Sequence, residues 1–298
     1  MFLLLIAAAS SAGCIGESPQ SRTSGQAEGQ PREPVKLLLN WYPEAEHGGY
    51  YAAAVHGYYA EAGLDVQIIA GGPNSPVLER VAGGSVSFGI ENADRVLLGR
   101  AAQADVVAVM APIQTSPRCV MVHAATGIRS FDQLTNLTLA ISSSAAWAEF
   151  LKKNASLRDV RIVPYSGNVA PFLLEERFAQ QAYVFSEPYL AEQRGADPHC
   201  LMVSDLGYNP YTSVLVTNRK RIESSPEVVE KMVEATIRGW RTYLESPDET
   251  NKHIGQLNPQ MDQGSLAYGA RALKPLCMTD AVPADRLGEM TEKRWRQL

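Results

Sequence analysis

An α/β fold of two lobes, each a mostly parallel sheet flanked by helices and joined by two crossings, follows from three features of this 298-residue chain. Short apolar runs of strand length alternate with stretches whose apolar residues recur at helical spacing, the pattern of βαβ units. The alternation breaks at Pro112 to Pro117 and resumes with a new apolar strand, Cys119 to His123. A later run, Ser213 to Thr217, is followed by mainly helical sequence, as if the chain had returned to its first lobe. Lobe one is therefore expected from 35–116 plus 212–298, lobe two from 117–211, with ligand held between them and closure on it as the working motion.

The opening unit carries most of the information. Val35 to Leu39 reads as a buried strand, and Tyr50 to Ala62 places alanines and aromatics at helical spacing. Gly63 is expected to end that helix in the left-handed conformation, with Asp65 to Ile69 as the next, parallel strand. In open α/β sheets ligands bind outside the carboxyl ends of the strands. The loop Asn40-Trp41-Tyr42-Pro43 lies at such an end. An amide that both donates and accepts, beside a large flat π-face, suits a planar heterocycle with polar edges. A core Trp with a turn-capping Asn is the competing reading.

Further along, Ala70-Gly71-Gly72-Pro73-Asn74 forms a glycine loop, and Ser75-Pro76 has the form of a cap and first helical residue. Val86 to Ile90 is a strand, Asn92 stands where it would cap the helix through Arg100, and Asp105 to Ala111 is the next strand. Asn74 and Asn92 serve either as caps or as ligand contacts at helix N-termini. Ser130-Phe131-Asp132-Gln133 has capping-box spacing, Leu137 to Ile141 is a strand, and Ser142-Ser143-Ser144 precedes a helix from Ala145 to Lys153. Ser143 and Ser144 would thus offer hydroxyls to an anion or polar ring edge, or simply be solvated. Strands at Arg161 to Pro164 and Ala182 to Phe185 flank a helix around Ala170 to Arg177. Glu187, before Pro188, is either a helix-start carboxylate or an acceptor for an amine in the cleft. Long helices are expected from Ser225-Pro226 and Ser246-Pro247, with a basic closing helix over 284–297; Trp240 and Trp295 read as packing residues.

Asn40-Trp41-x-Pro43, His47-Gly-Gly-Tyr-Tyr-Ala52 and Gly57-Tyr-Tyr-x-x-Ala-Gly-Leu-Asp-Val66 together resemble one family. So do Ala82-Gly-Gly-Ser-Val-Ser-Phe-Gly-Ile90, Val106 to Val109 and Ser186-Glu-Pro-Tyr189. The chain is similar to the periplasmic substrate-binding proteins of ABC importers in the thiamine-pyrimidine-precursor group, whose relatives bind sulfonates, taurine and nitrate. The resemblance spans roughly residues 35 to 295. It implies a type II periplasmic-binding-protein fold and a monomeric carrier without enzymatic activity or cofactor. The partners it implies are a small-molecule ligand and a transporter permease. It also assigns Glu187 to an aminopyrimidine and brings His47 into the site as a donor to a ring nitrogen or phosphate. The same family includes a self-consuming eukaryotic pyrimidine synthase, whose signature cysteine cluster is absent here.

The two ends and the composition complete the reading. Met1 to Ala12 is apolar and, at 12 residues, shorter than the roughly 20 that span a bilayer. Ser11-Ala12-Gly13-Cys14 resembles a bacterial lipoprotein box, making residues 1–14 a signal and Cys14 the lipidated anchor to a membrane, in an extracytoplasmic location. No Lys or Arg precedes the apolar run, which an upstream start codon would explain. Residues 15–34, rich in Ser, Gly, Gln, Pro and Glu, are expected to form a flexible tether of roughly 25 Å end to end. Net charge is −5, from 27 basic and 32 acidic residues without a basic stripe, so nucleic acid is excluded as a partner. The four cysteines and five histidines form neither a CxxC nor an HExxH, so no metal site is expected. Cys119 and Cys200 both fall in lobe two, either paired or as buried thiols. No GxGxxG, Walker loop or GxSxG occurs.

Overall fold

The computed structural model describes residues 31–143 and 145–298. Cys14, nearly all of the expected tether and Ser144 lie outside the described residues. Two five-stranded mixed sheets form the frame. The first contains β1 (Glu33–Leu38), β2 (Leu64–Ile69), β3 (Phe88–Glu91), β4 (Val107–Met110) and, from much later in the chain, β10 (Val214–Thr217), in the order β2-β1-β3-β10-β4. The second contains β5 (Arg118–His123), β6 (Leu137–Ile141), β7 (Val160–Pro164), β8 (Phe178–Tyr183) and β9 (Pro198–Met202), in the order β7-β6-β8-β5-β9. In each sheet the strand that arrives from the other lobe is the antiparallel one: β10 runs against β3 and β4, and β5 against β8 and β9.

Strand alternation sorts side chains onto the two faces of each sheet. Leu37, Phe88, Ile90 and Leu215 face one core of the first sheet, shared with Trp240 and Tyr243, while Leu38, Val214 and Val216 face the other. In the second sheet Val120, Val122, Leu139 and Ile141 face Trp147, and Cys119, Met121 and Ala140 face Phe172. Both sheets are covered by helices on both faces, which explains why β3, β6 and β10 are buried at every position.

The tightest helix contact is between Gly48–Val55 and the 20-residue helix Pro226–Glu245. A Cβ on Gly49 would run into the Trp240 ring, and one on Gly239 into the Gly49 carbonyl and the Ala53 amide. Those two glycines let the backbones approach. The His47-Gly48-Gly49 stretch after the β1 loop is thereby locked against the later part of the lobe.

The two crossings, 111–117 and 203–213, pair with each other: the Thr212 amide donates to the Ile113 carbonyl at 3.1 Å, and the Ser116 amide to Asn209 Oδ1 at 2.8 Å. A third link joins the two sheets' layers. Phe185, just past β8, is buried in the core of the first sheet, and Tyr189 packs on Tyr268 with ring centroids 5.0 Å apart.

Several local expectations are corrected. The helix over 50–62 is two helices, Gly48–Val55 and Tyr58–Glu61, because Gly57 takes a left-handed φ of 75° between them. Gly63 does adopt φ 77° before β2. Ser75 does not cap the following helix, Val77–Ala82; its hydroxyl accepts from the Gly72 amide instead. The helix after the serines begins at Ala146, with Ala145, which has no capping side chain, as its cap residue. The helix around 170–177 stops at Leu174, and β8 lies at 178–183 rather than 182–185. The closing segment is not one helix: Ala284–Arg286 and Glu292–Trp295 are separate turns, since Gly288, at φ 92°, turns aside to bridge Ala111. Strand β9 and the helix Gln263–Cys277, which holds Pro275 inside it, had no counterpart in the sequence reading. Ser130 and Gln133 do form the expected capping box. Cys119 and Cys200 are free thiols on adjacent strands, Sγ to Sγ 2.9 Å.

Candidate ligand cleft

Residues just past β1 and β3 in the first sheet and just past β7 and β8 in the second come together: Asn92 reaches the Tyr183 hydroxyl, and Tyr165 reaches Glu187. The loop after β1 folds on itself. Asn40 Nδ2 donates to Glu46 Oε1 at 3.3 Å, and Asn40 Oδ1 lies 2.8 Å from His47 Nε2. Trp41 and Tyr42 project from the same loop, 40% and 48% exposed, with rings edge to face at 5.4 Å. Trp41 is therefore not a core residue. The Gly71 amide donates to the Trp41 carbonyl at 3.0 Å, and a Cβ on Gly72 would lie 3.4 Å from the Tyr42 ring, so the glycine loop after β2 supports this aromatic pair.

Asn92, at the end of β3, does not cap its helix. Its Nδ2 donates to the Tyr183 hydroxyl at 3.2 Å, across the cleft, and its Oδ1 accepts weakly from the Ser213 amide at 3.5 Å. Ser213 sits where the second crossing enters β10, fully buried at φ 56°, a left-handed conformation disfavoured for a residue with a Cβ. It is held there on three sides, because its carbonyl accepts from Tyr50 Oη at 2.6 Å and its hydroxyl donates to the Glu46 carbonyl at 3.2 Å.

From the second sheet, Glu187 opens the helix Glu187–Glu192 just past β8. Its two oxygens are separately fixed, Oε1 by the Tyr165 hydroxyl and Oε2 by the Tyr183 amide, both at 2.8 Å. Arg118, the first residue of β5, donates to the Tyr183 hydroxyl at 2.8 Å and lies over the Tyr183 and Trp147 rings, 4.8 and 5.0 Å from their centroids.

Charge is unevenly distributed. Glu44, Glu46 and Glu91 are buried, and none of them, nor Glu187, makes an ion pair among the described residues. Burial pushes Glu46 up to about 7, opposed by the Asn40 amide; Glu91 adds to the rise and Arg118 offsets it. Burial likewise pushes Glu91 up to about 7. Glu44 is held well above the usual carboxylate range by burial, then by the charges of Glu46 and Glu187. Burial raises Glu187 as well, against the hydrogen bonds from Tyr183 and Tyr165. His47 has no exposed surface, and burial lowers its pKa to about 3 although the nearby Tyr42 carbonyl favours the charged form.

The structure thus draws Asn40, His47, Asn92 and Glu187 toward one cleft, with His47 behind Asn40 rather than at the surface. Asn74 is an exposed turn residue at φ 62°, with no side-chain hydrogen bond among the described residues drawing it inward. Ser143 is exposed, and among the described residues only its carbonyl is engaged, accepting from Lys152 Nζ at 3.5 Å. Glu44, Glu46, Glu91, Arg118, Tyr165, Tyr183 and Ser213 were not singled out from the sequence. Only Glu44 and Glu46 left a local signal, two carboxylates spaced by one alanine inside the crevice loop. Among the described residues no group of three His, Cys, Asp or Glu side chains has the spacing of a metal site, and no helix is long and apolar enough to cross a membrane.

Residues 44–250, which contain most of these side chains, match the model of the family described as NMT1/THI5 like. The chain belongs to that family. The curated proteins it is similar to carry different names for what they do. A formylaminopyrimidine-binding protein of Halalkalibacterium halodurans is 26% identical, over 76% of this chain and 72% of that protein. The riboflavin-binding protein RibY of Chloroflexus aurantiacus is 25% identical, over 92% and 81% respectively. A 4-amino-5-hydroxymethyl-2-methylpyrimidine phosphate synthase, THI11 of Saccharomyces cerevisiae, is 24% identical, over 79% and 74%. Among solved structures, the periplasmic aliphatic sulphonate binding protein SsuA of Escherichia coli superposes with a TM-score of 0.66 at 13% identity, covering 82% of this chain and 80% of that one. The fold is the two-lobed, type II periplasmic-binding-protein fold.

Proposed function

We propose that this NMT1/THI5-like protein is an extracytoplasmic solute-binding protein that captures a small planar heterocycle, of the aminopyrimidine class, between its two lobes. It hands that cargo to the permease of an ABC importer and is itself held at a membrane through lipid on Cys14. The observation that carries the reading is Glu187. Its carboxylate stands at the end of β8 with each oxygen oriented by one donor, Tyr165 or Tyr183, so each keeps acceptor capacity for an exocyclic amine. Trp41, exposed and backed by Tyr42, supplies the stacking face, and Asn40 a polar edge oriented by Glu46 and His47.

The same cleft disfavours an anionic cargo. Four carboxylates face or underlie it, and Arg118 is committed to two rings and a hydroxyl. A sulfonate or nitrate would meet carboxyl groups that offer it no cation and repel it wherever they ionise. The relative that binds formylaminopyrimidine supports the choice of ring. The riboflavin-binding relative keeps a larger flat ring as the second reading, favoured by the paired exposure of Trp41 and Tyr42.

Native mass spectrometry of protein purified without added ligand, followed by titration with 4-amino-5-hydroxymethylpyrimidine, tests the proposal. A bound aminopyrimidine, released unchanged, is expected. A flavin mass selects the second reading. A sulfonate, or a chemically altered product after one turnover, overturns both.

A further inference from the structure

Three of the four cleft carboxylates have a donor within the protein. Glu46 accepts from Asn40, Glu91 from the Asn92 amide at 2.9 Å, and Glu187 from Tyr165 and Tyr183. Glu44 has none. It is only 8% exposed, its side chain does not cap the short helix it precedes, and among the described residues no cation lies within 4.0 Å of it. A carboxylate so enclosed and unpaired is costly, so buried charges are ordinarily paired. Its neighbour Ala45 and the carbonyl of Phe185, two residues before Glu187, both pack on Gly269, which sets Glu44 of the first lobe beside the start of the Glu187–Glu192 helix of the second. The charges of Glu46 and Glu187 act on it accordingly. A divalent metal would want further ligands, and no such group of three is present among the described residues.

We propose that Glu44 is the anchor for a protonated aliphatic amine on the cargo, so that the solute is a cation with two donor ends, a ring amine directed to Glu187 and an ammonium directed to Glu44. This rests on the aminopyrimidine reading for the ring but not for the ammonium. An ammonium brings three donors and a positive charge to the one carboxylate that lacks both. The same pairing would relieve the like charges that Glu46 and Glu187 impose on Glu44.

Two pairs of probes separate the parts. The first is 4-amino-5-(aminomethyl)pyrimidine against its 5-hydroxymethyl counterpart; the second is benzylamine against benzyl alcohol, which keeps the ammonium and removes the pyrimidine. Calorimetric titration of the full chain should show the aminomethylpyrimidine bound at least about tenfold more tightly than the alcohol. Glu44→Gln should abolish that preference while changing affinity for the alcohol by no more than about twofold, and Glu44→Asp should keep part of it. Because the alcohol reports folding and ring binding in the same variant, a misfolded protein cannot imitate this result. Equal affinities in the unmodified protein, or a preference that survives Glu44→Gln, would overturn the inference and leave the pyrimidine reading standing. If neither pyrimidine binds but benzylamine is preferred over benzyl alcohol in a Glu44-dependent way, the ammonium site stands and the ring assignment falls. If no probe of either pair binds, both fall.

Discussion

Asn40 Oδ1 and His47 Nε2 lie 2.8 Å apart, and this one contact sets the chemistry of the loop after β1. Asn40 Nδ2 faces the Glu46 carboxylate, which accepts, so the amide oxygen is the atom turned toward the imidazole. His47 must then carry its proton on Nε2. His47, which the family resemblance offered as a donor to ligand, is fully buried here and holds an asparagine in one orientation.

His47 should therefore remain neutral, in the Nε2–H tautomer, from pH 8 down to about 4, since burial lowers its pKa to about 3. Nitrogen chemical shifts of labelled histidine would reveal this directly. A titration midpoint near 6.5, the ordinary histidine value, would show that the ring is solvated rather than buried.

Glu187→Gln should weaken aminopyrimidine binding by about 1.5–3 kcal/mol, the usual worth of a hydrogen bond to a charged group. Tyr165→Phe should produce a smaller loss by freeing one oxygen of Glu187 to reorient. Isothermal titration with matched melting curves checks both. A loss of apo stability as large as the loss of binding would make Glu187 a structural residue.

Trp41→Ala should lower affinity for a flat ligand by about 1–3 kcal/mol, as base stacking on aromatic side chains does, and Trp41→Phe by less. Ligand should perturb tryptophan fluorescence in the unmodified protein and do so less in either variant. At 40% exposure the residue contributes little to the core, so the apo melting temperature should hardly move.

The stability of the ligand-free protein should fall as pH rises from about 4.5 through about 7. Burial raises Glu46 and Glu91 from the ordinary 4.5 to about 7 in the folded protein, so the folded state binds more protons than the unfolded one across that window. Stabilisation is complete at the acid end and lost at the alkaline end, on the order of 1 kcal/mol per pH unit for each group. Glu91→Gln should flatten this slope in denaturant titrations at several pH values. A slope of opposite sign would mean that these carboxylates are favourably paired.

Gly239→Ala should destabilise the protein by about 1–3 kcal/mol or more, because the new methyl meets the Gly49 carbonyl and the Ala53 amide, backbone atoms that cannot rotate away. The loss would appear in the melting temperature and, through the His47-Gly48-Gly49 stretch, in ligand affinity. A neutral Gly239→Ala would show that the helices Gly48–Val55 and Pro226–Glu245 are farther apart than described.

Alternation and punctuation along the chain determined the strands, their alternation with helices and the two crossings, because a buried strand must be apolar and a left-handed turn such as Gly63 favours glycine. These are local demands, legible one segment at a time. Short polar signals were less decisive. Ser75 and Asn92 have the sequence form of caps, yet Ser75 bonds back to Gly72 in its own turn, and Asn92 bonds to Tyr183 and Ser213, which chain folding brings within reach. Strand β9 went unseen because its pairing with β5, not its own pattern, makes it a strand. The cleft was the part decided by tertiary structure. Whether Glu44, Glu46, Glu91 and Glu187 are solvated surface carboxylates or a buried, charge-poor acceptor site depends on burial and on their mutual approach. Those follow from the packing of two lobes that brings residues as distant in the chain as Glu44 and Glu187 together, and no local stretch of sequence encodes them.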